Sequence, residues 1–285
     1  MTETDQVGEA ARPVGAAGQS GPPGTVEPIV SDRAGRLTTE QLARVVRLLK
    51  AADAVELKVS VQDADRRSAV SDLDMDPLDA QIRQVVFFDT PDLQLDRHGV
   101  VVRARRVQGK AGDSIVKLRP LDPQRLAATT RSAPAFGVEI DALPGGFVCS
   151  GRMKTKVDNA AVRDAIAGRL PVRKLFTKEQ RDLYAAHAPE GVGLDDLCAL
   201  GPINVLKLKL TPVSFPRPVV AELWLYPDGT RLLELSIKCP PTEAFDAAEE
   251  SRRFLAAHGI DLVAEQQTKT RIALDYFARE LVGGT

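Results

Sequence analysis

Arg103 and Arg105 stand two apart in the run VVVRARRV, residues 100–107. In an extended strand that spacing puts both guanidinium groups on one face and Val102, Ala104 and Arg106 on the other. The same spacing recurs in Glu56 with Lys58, Lys117 with Arg119, Glu139 with Asp141, Glu179 with Arg181, Lys207 with Lys209, and Glu234 with Ser236 and Lys238. A guanidinium fork donates two parallel hydrogen bonds to one phosphate, whereas an ammonium offers a point charge. Carboxylates bind Mg²⁺ or Mn²⁺ together with phosphate oxygens and water, and the ion can polarise a phosphoryl group or activate water. One such strand is the solvent face of a half-exposed sheet. Seven together point to a sheet closed on itself, with charged faces lining a polar interior and helices covering the apolar outside. Buried cations repel each other and lose hydration, so that interior calls for a polyanion.

The elements that must position these groups follow from periodicity. Alternation with period two predicts strands over 54–61, 82–90, 99–107, 113–120, 136–143, 172–186, 204–212, 219–227 and 231–238. Pro227-Asp228-Gly229-Thr230 is a hairpin turn between the last two. Helices are expected after a Thr39 cap (with Leu42, Val45, Val46 and Leu49 at helical spacing), in AAVRDAIAGRL, after a Thr242 cap, and over 267–281. Strands outnumber helices and most connections are too short for parallel crossovers. The predicted fold is therefore α+β, an eight- or nine-stranded antiparallel barrel with flanking helices.

Composition narrows the function classes. The chain has 285 residues, 44% of them hydrophobic, enough for a substantial core. Residues 1–35 lack aromatics and are rich in Gly, Pro and Ala, which predicts a disordered tail before one domain over 36–285. The 38 basic and 39 acidic residues nearly cancel, so no overall field favours a nucleic-acid polymer or an anionic membrane, and charge-based function must be local. No apolar run reaches the ~20 residues of a membrane span, and no secretion signal opens the chain. Cys149, Cys198 and Cys239 lack ligand spacing and read as free structural thiols. The expected localisation is cytoplasmic.

The segment FFDTPDLQLDRHGVVVRARR (87–106), the ELKV and LELSIK strands, and the closing EQQTKTRIALDYF (265–277) resemble the CYTH domain, the fold of the triphosphate tunnel metalloenzymes. The resemblance covers residues 52–282. It implies a barrel whose tunnel binds a triphosphate or polyphosphate, with Mg²⁺ or Mn²⁺ on carboxylates assisting hydrolysis or, in some members, cyclisation of ATP. Mapped onto this chain, it implies that Arg103, Arg105, Lys117, Arg119 and Arg181 hold phosphates, with Lys207 and Lys209 as a looser match. Lys58 then lies near the terminal phosphate, and Glu56 either binds metal or orients water. The implied metal ligands are Glu56, Glu139, Asp141 and Glu234. The family's ExExK motif reads Ala54-Val55-Glu56-Leu57-Lys58, and its late ExE strand reads Glu234-Leu235-Ser236, so two expected carboxylates are missing. Asp53 does not replace the first, since it points to the opposite face. Three outcomes stay open: a metal-dependent phosphohydrolase, a non-catalytic polyphosphate-binding module, and an adenylyl cyclase. The expected partner is a small phosphate-chain molecule, and pairing of two barrels as a homodimer also stays open.

Other signals carry less. His98, His187 and His258 lie outside any cluster. Trp224 and Tyr226 share a strand face with Glu222, suited either to packing or to stacking on a base, packing being the commoner use. SGRMKTK (150–156) reads as a basic stretch outside the strands, either a rim patch that draws anions in or a solvated turn, the turn being the commoner, and SDLDMDPLDAQ as a solvated acidic loop. No P-loop, Rossmann glycine motif or GxSxG elbow is present.

Overall fold

The computed structural model describes residues 28–31, 36–260 and 269–283. In chain order its elements are β1 (Ile29–Val30), α1 (Thr39–Ala51), β2 (Ala54–Val61), α2 (Arg66–Asp72), β3 (Gln81–Asp89), α3 (Gln94–Arg97), β4 (Val100–Val107) and β5 (Lys110–Leu118). There follow α4 (Ala128–Arg131), β6 (Phe136–Leu143), β7 (Gly146–Val157), α5 (Asn159–Ile166), α6 (Lys178–Ala185), β8 (Cys198–Leu210), β9 (Val219–Leu225), β10 (Arg231–Cys239), α7 (Ala244–Ala257) and α8 (Lys269–Gly283).

The sheet runs β7-β5-β4-β3-β8-β9-β10-β2-β6, and β6 pairs back to β7, which closes a nine-stranded barrel; β1 attaches to β7. All pairings are antiparallel except β2 with β6, where Ala54 to Leu57 run parallel to Glu139 to Ala142. The long chain between those strands frees them from any hairpin constraint.

Register propagates one inner face around the whole ring, because directly opposed residues point the same way. Arg103 faces Phe87 and Ile115, Lys117 faces Arg152, Glu139 faces Ser150, and Glu56 faces Asp141 and Lys238. The circuit continues with Ser236 opposite Lys58, Glu234 opposite Glu222, and Glu222 opposite Lys207. A slip of one residue in any pair would turn that strand's charges outward. Gly229, at φ 86°, serves the β9–β10 turn, where Tyr226 N–H donates to the Thr230 carbonyl at 3.0 Å.

The opposite faces are apolar and buried under helices. Val102, Ala104, Val116, Val138 and Met153 pack against Val45 and Leu48 of α1, Val162 of α5 and Leu183 of α6. Val59, Ala221, Leu235 and Ile237 pack against Ala69 of α2 and Phe254 and Leu255 of α7. The third cluster lies on the inner side: Phe87, Val205 and Trp224 of the barrel pack with Ala273 and Leu274 of α8.

Several sequence expectations require correction. The segment 172–186 is a 3-10 turn followed by α6. Thr177 and Gln180 form a capping box, and Gln180, Leu183 and Tyr184 bury one helical face despite the alternating charges. The turn expected at 150–156 is the second half of β7. Helix α1 is capped by Thr38, one residue earlier than expected, and buries Val45 and Leu48 while Leu42 and Val46 stay exposed. Thr242 caps no helix; it lies in a 3-10 turn ahead of α7. Most of the expected tail, together with residues 265–268 of the closing motif, lies outside the described residues. The described part, Pro28–Ser31, is anchored: Ile29 is buried and pairs with Phe147. Among the described residues no helix is long and apolar enough to cross a membrane.

Candidate functional site

The barrel encloses a cavity of about 680 Å³, within the usual range for small-ligand sites. Twelve Lys and Arg side chains line it against five carboxylates, and Asp113 and Asp141 add two more from the wall. Positive charge thus concentrates in the lumen of a chain whose net charge is −1.

Asp141 on β6 is fully buried and serves three cations. Lys58 Nζ lies 2.6 Å from it, Lys117 Nζ 3.2 Å and Arg119 Nη2 3.6 Å. Burial alone would raise the Asp141 pKa, but Lys117, Lys58 and Arg119 hold it far below the ordinary carboxyl range. Lys58 also pairs with Glu56 at 3.1 Å. Burial opposes its charge, yet Asp141 and Glu56 hold its pKa above the ordinary lysine value. Lys117 goes the other way: burial outweighs Asp141, with Lys58 and Arg119 adding repulsion, and its pKa falls to about 8. Lys58 has Glu56 beside it as a second carboxylate, whereas Lys117 has only Asp141 close by and two neighbouring cations against it.

A second group surrounds the arginine strand. Arg105 makes a two-point contact with Asp113, Nε to Oδ1 and Nη2 to Oδ2 both at 2.8 Å. Arg103, two residues earlier, has a buried Nε without a hydrogen-bond partner. Burial, followed by repulsion from Arg105, lowers its pKa to about 10. Glu139 receives Arg152 at 2.7 and 2.8 Å and also Lys238. Burial would raise Glu139, but these two partners bring it down to about 2. Glu222 and Glu234 share Lys269 from the first turn of α8.

The structure therefore brings Glu56, Lys58, Arg103, Arg105, Lys117, Arg119, Lys207, Lys209, Glu139 and Glu234 around one cavity, with Asp141 in its wall. Arg181 is not among them. It lies on α6 outside the barrel, where its Nη1 donates to the Phe176 carbonyl at 2.6 Å. Asp53 points away from the lumen, as expected, and binds Arg131.

Lumen residues not foreseen from the sequence are Arg152 and Lys154 on the unrecognised β7, Glu222, and Lys269. Period two over RMKTKV was the available signal for the first two. Gln180 holds that strand in place: its side chain donates to the Ser114 and Met153 carbonyls at 3.0 and 3.1 Å, tying α6 to β5 and β7.

The four expected metal ligands do not form one donor set. Glu56 and Asp141 share Lys58, Glu139 holds Arg152 and Lys238, and Glu234 holds Lys269. Among the described residues no three His, Cys, Asp or Glu side chains gather to hold a metal. The donor set as built thus does not fit a divalent ion.

The remaining candidates pack. Each histidine sits at a helix end with Nδ1 against the carbonyl four residues back, at 2.8 Å for His98, 3.0 Å for His187 and 2.7 Å for His258. Trp224 and Tyr226 are buried beneath α8. The three cysteines are free, and burial pushes Cys149 up to about 12.

The sequence matches no protein-family model and no curated protein. Solved structures do match in shape. A candidate adenylyl cyclase from Hippeastrum with a dominant triphosphatase activity superposes with TM-score 0.56 at 15% identity, covering 78% of this chain and 95% of that one. A candidate adenylate cyclase from Bacillus halodurans gives TM-score 0.53 at 14% identity, over 77% of this chain and 98% of that one. At such identity the likeness shows the fold alone, a closed and mostly antiparallel barrel with flanking helices.

Proposed function

We propose that the chamber binds a linear phosphate chain: inorganic triphosphate, the end of a polyphosphate, or the phosphate tail of a nucleoside triphosphate. The observation that carries this reading is Arg103, a guanidinium sunk in the lumen with its Nε unpaired. A buried N–H left without a hydrogen-bond partner costs free energy, and a phosphate oxygen is an acceptor whose geometry matches the guanidinium fork. Arg119, Lys117 and Lys58 converge on Asp141, three cations on one carboxylate, with charge to spare for such a chain. The triphosphatase activity of the Hippeastrum protein uses a ligand of the same class and supports the assignment.

Binding is the core of the proposal. Hydrolysis assisted by Mg²⁺ or Mn²⁺ finds no support in the donor set, since each expected carboxylate already serves a lysine or arginine. Calorimetric titration with tripolyphosphate, in EDTA and separately with Mg²⁺, tests the reading, and phosphate release in the same samples measures turnover. Wild type should bind in at least one condition. Arg103→Met should weaken binding roughly 10- to 150-fold, the loss of one charged hydrogen-bond set worth about 1.5–3 kcal/mol. No heat and no thermal protection from millimolar tripolyphosphate or ATP in either condition would overturn it.

A further inference from the structure

Glu222 and Glu234 lie directly opposite each other on β9 and β10. Both face the lumen and both are buried, at 8% and 5% exposure. Like charges directly opposed across two strands destabilise a sheet, and two buried carboxylates at that spacing would draw a divalent cation. The position between them is filled. Lys269 Nζ sits 2.6 Å from Glu222 Oε2 and 2.8 Å from Glu234 Oε1, with its charge 5.1 Å above the Trp224 ring. The lysine is held there by its backbone as well as its charge: Tyr226 Oη donates to the Lys269 carbonyl at 3.1 Å, and Ala273 and Leu274 anchor the next turn of α8 in the apolar end of the barrel. Burial works against the ammonium, but Glu234 and Glu222 hold its pKa above the ordinary lysine value.

We propose that Lys269 is a built-in counter-ion, occupying the carboxylate pair that a divalent cation would otherwise take, so that the chamber holds a phosphate chain without metal. Charge at this end of the lumen is then supplied by the chain itself, and a free metal ion must expel an anchored ammonium to enter. The first half of the proposal concerns Lys269 and its two glutamates, of which Glu222 also accepts Lys207 Nζ at 3.3 Å through its other oxygen; the second half rests on the phosphate-chain reading above.

Mn²⁺ alone is the probe for the first half, its free concentration followed by electron paramagnetic resonance with no phosphate present. Wild type should show no site at this pair, Lys269→Met should gain one Mn²⁺ per chain, and Lys269→Met combined with Glu234→Gln should lose it. A wild type that binds Mn²⁺ as tightly as Lys269→Met, or a folded Lys269→Met that gains nothing, overturns the assignment. The wild-type titration with tripolyphosphate keeps the proposal testable should Lys269→Met not fold. Affinity in EDTA should equal or exceed affinity with Mg²⁺, because Mg²⁺ neutralises part of the chain's charge. Affinity that appears only with Mg²⁺ overturns metal-free binding and leaves the phosphate-chain reading standing. No affinity in either condition overturns that reading together with metal-free binding, and the Mn²⁺ result then decides the place of Lys269 by itself.

Discussion

Replacing Asp141 by Asn removes one negative charge from a point where three cations converge. The carboxylate is fully buried, with Lys58 at 2.6 Å, Lys117 at 3.2 Å and Arg119 at 3.6 Å. Taking one partner from a buried ion pair costs about 3–5 kcal/mol, because the remaining charge is left uncompensated. Here three charges are left facing one another, so the upper end of that range applies. At about 2–4 °C per kcal/mol for a chain of this size, the melting temperature should fall by roughly 10–20 °C. The assay is thermal denaturation followed by circular dichroism in EDTA, with wild type and variant side by side. Tripolyphosphate should protect the variant more than wild type, since the anion replaces the missing charge, and a ligand at a hundred times its Kd adds about 2.7 kcal/mol. The pH dependence has a defined sign. Asp141 has a depressed pKa in the folded protein, so its contribution is complete above the unfolded carboxyl value of about 3.9 and is lost as pH falls below it. Asp141→Asn should be missing that part of the acid response. A loss of less than about 1 kcal/mol in EDTA would refute the reasoning, because a carboxylate on which three buried cations depend cannot be removed so cheaply.

Lys117, lowered to about 8, should be largely neutral in the empty chamber at pH 8.5 and regain its proton beside a phosphate. Calorimetry in two buffers of different ionisation enthalpy should therefore show proton uptake on tripolyphosphate binding at that pH, abolished in Lys117→Met; proton release would contradict it. Arg103→Met should raise the melting temperature of the ligand-free protein by several degrees even as it weakens binding, because it removes a buried unpaired donor whose desolvation costs about 1–3 kcal/mol. A fall in melting temperature would show that Arg103 is already compensated. Arg181→Ala should leave tripolyphosphate affinity within twofold of wild type, since that side chain lies outside the barrel; a tenfold loss in the same titration would place it back in the site.

The inner face of the barrel was legible because period two survives wherever a strand is regular, and Arg103 with Arg105 fell where their spacing put them. Local chemistry defeated the same rule twice. Over 172–186 the charges alternate as in a strand, but the capping box of Thr177 and Gln180 starts a helix, and it carried Arg181 out of the site. In β7 the small residues Gly146, Ser150 and Gly151 hid a strand whose second half supplies Arg152 and Lys154. The carboxylates posed a different problem. Their types and spacing suit a metal, and only the register reveals that Glu139 lies within reach of Arg152 and Lys238, or that Glu222 stands opposite Glu234. Lys269 comes from a helix that meets the lumen at its end, where no strand periodicity could announce it.

The apolar packing of Ala273 and Leu274 against Phe87 and Trp224 brings the first turn of α8, with Lys269, to the wall of the lumen. A phosphate chain bound as proposed is gripped over the few units that the lining lysines and arginines can reach. Whatever exceeds the 680 Å³ available trails in bulk water and adds nothing but mass. Affinity should then climb with the first few phosphate units and level off once the chain is as long as the chamber.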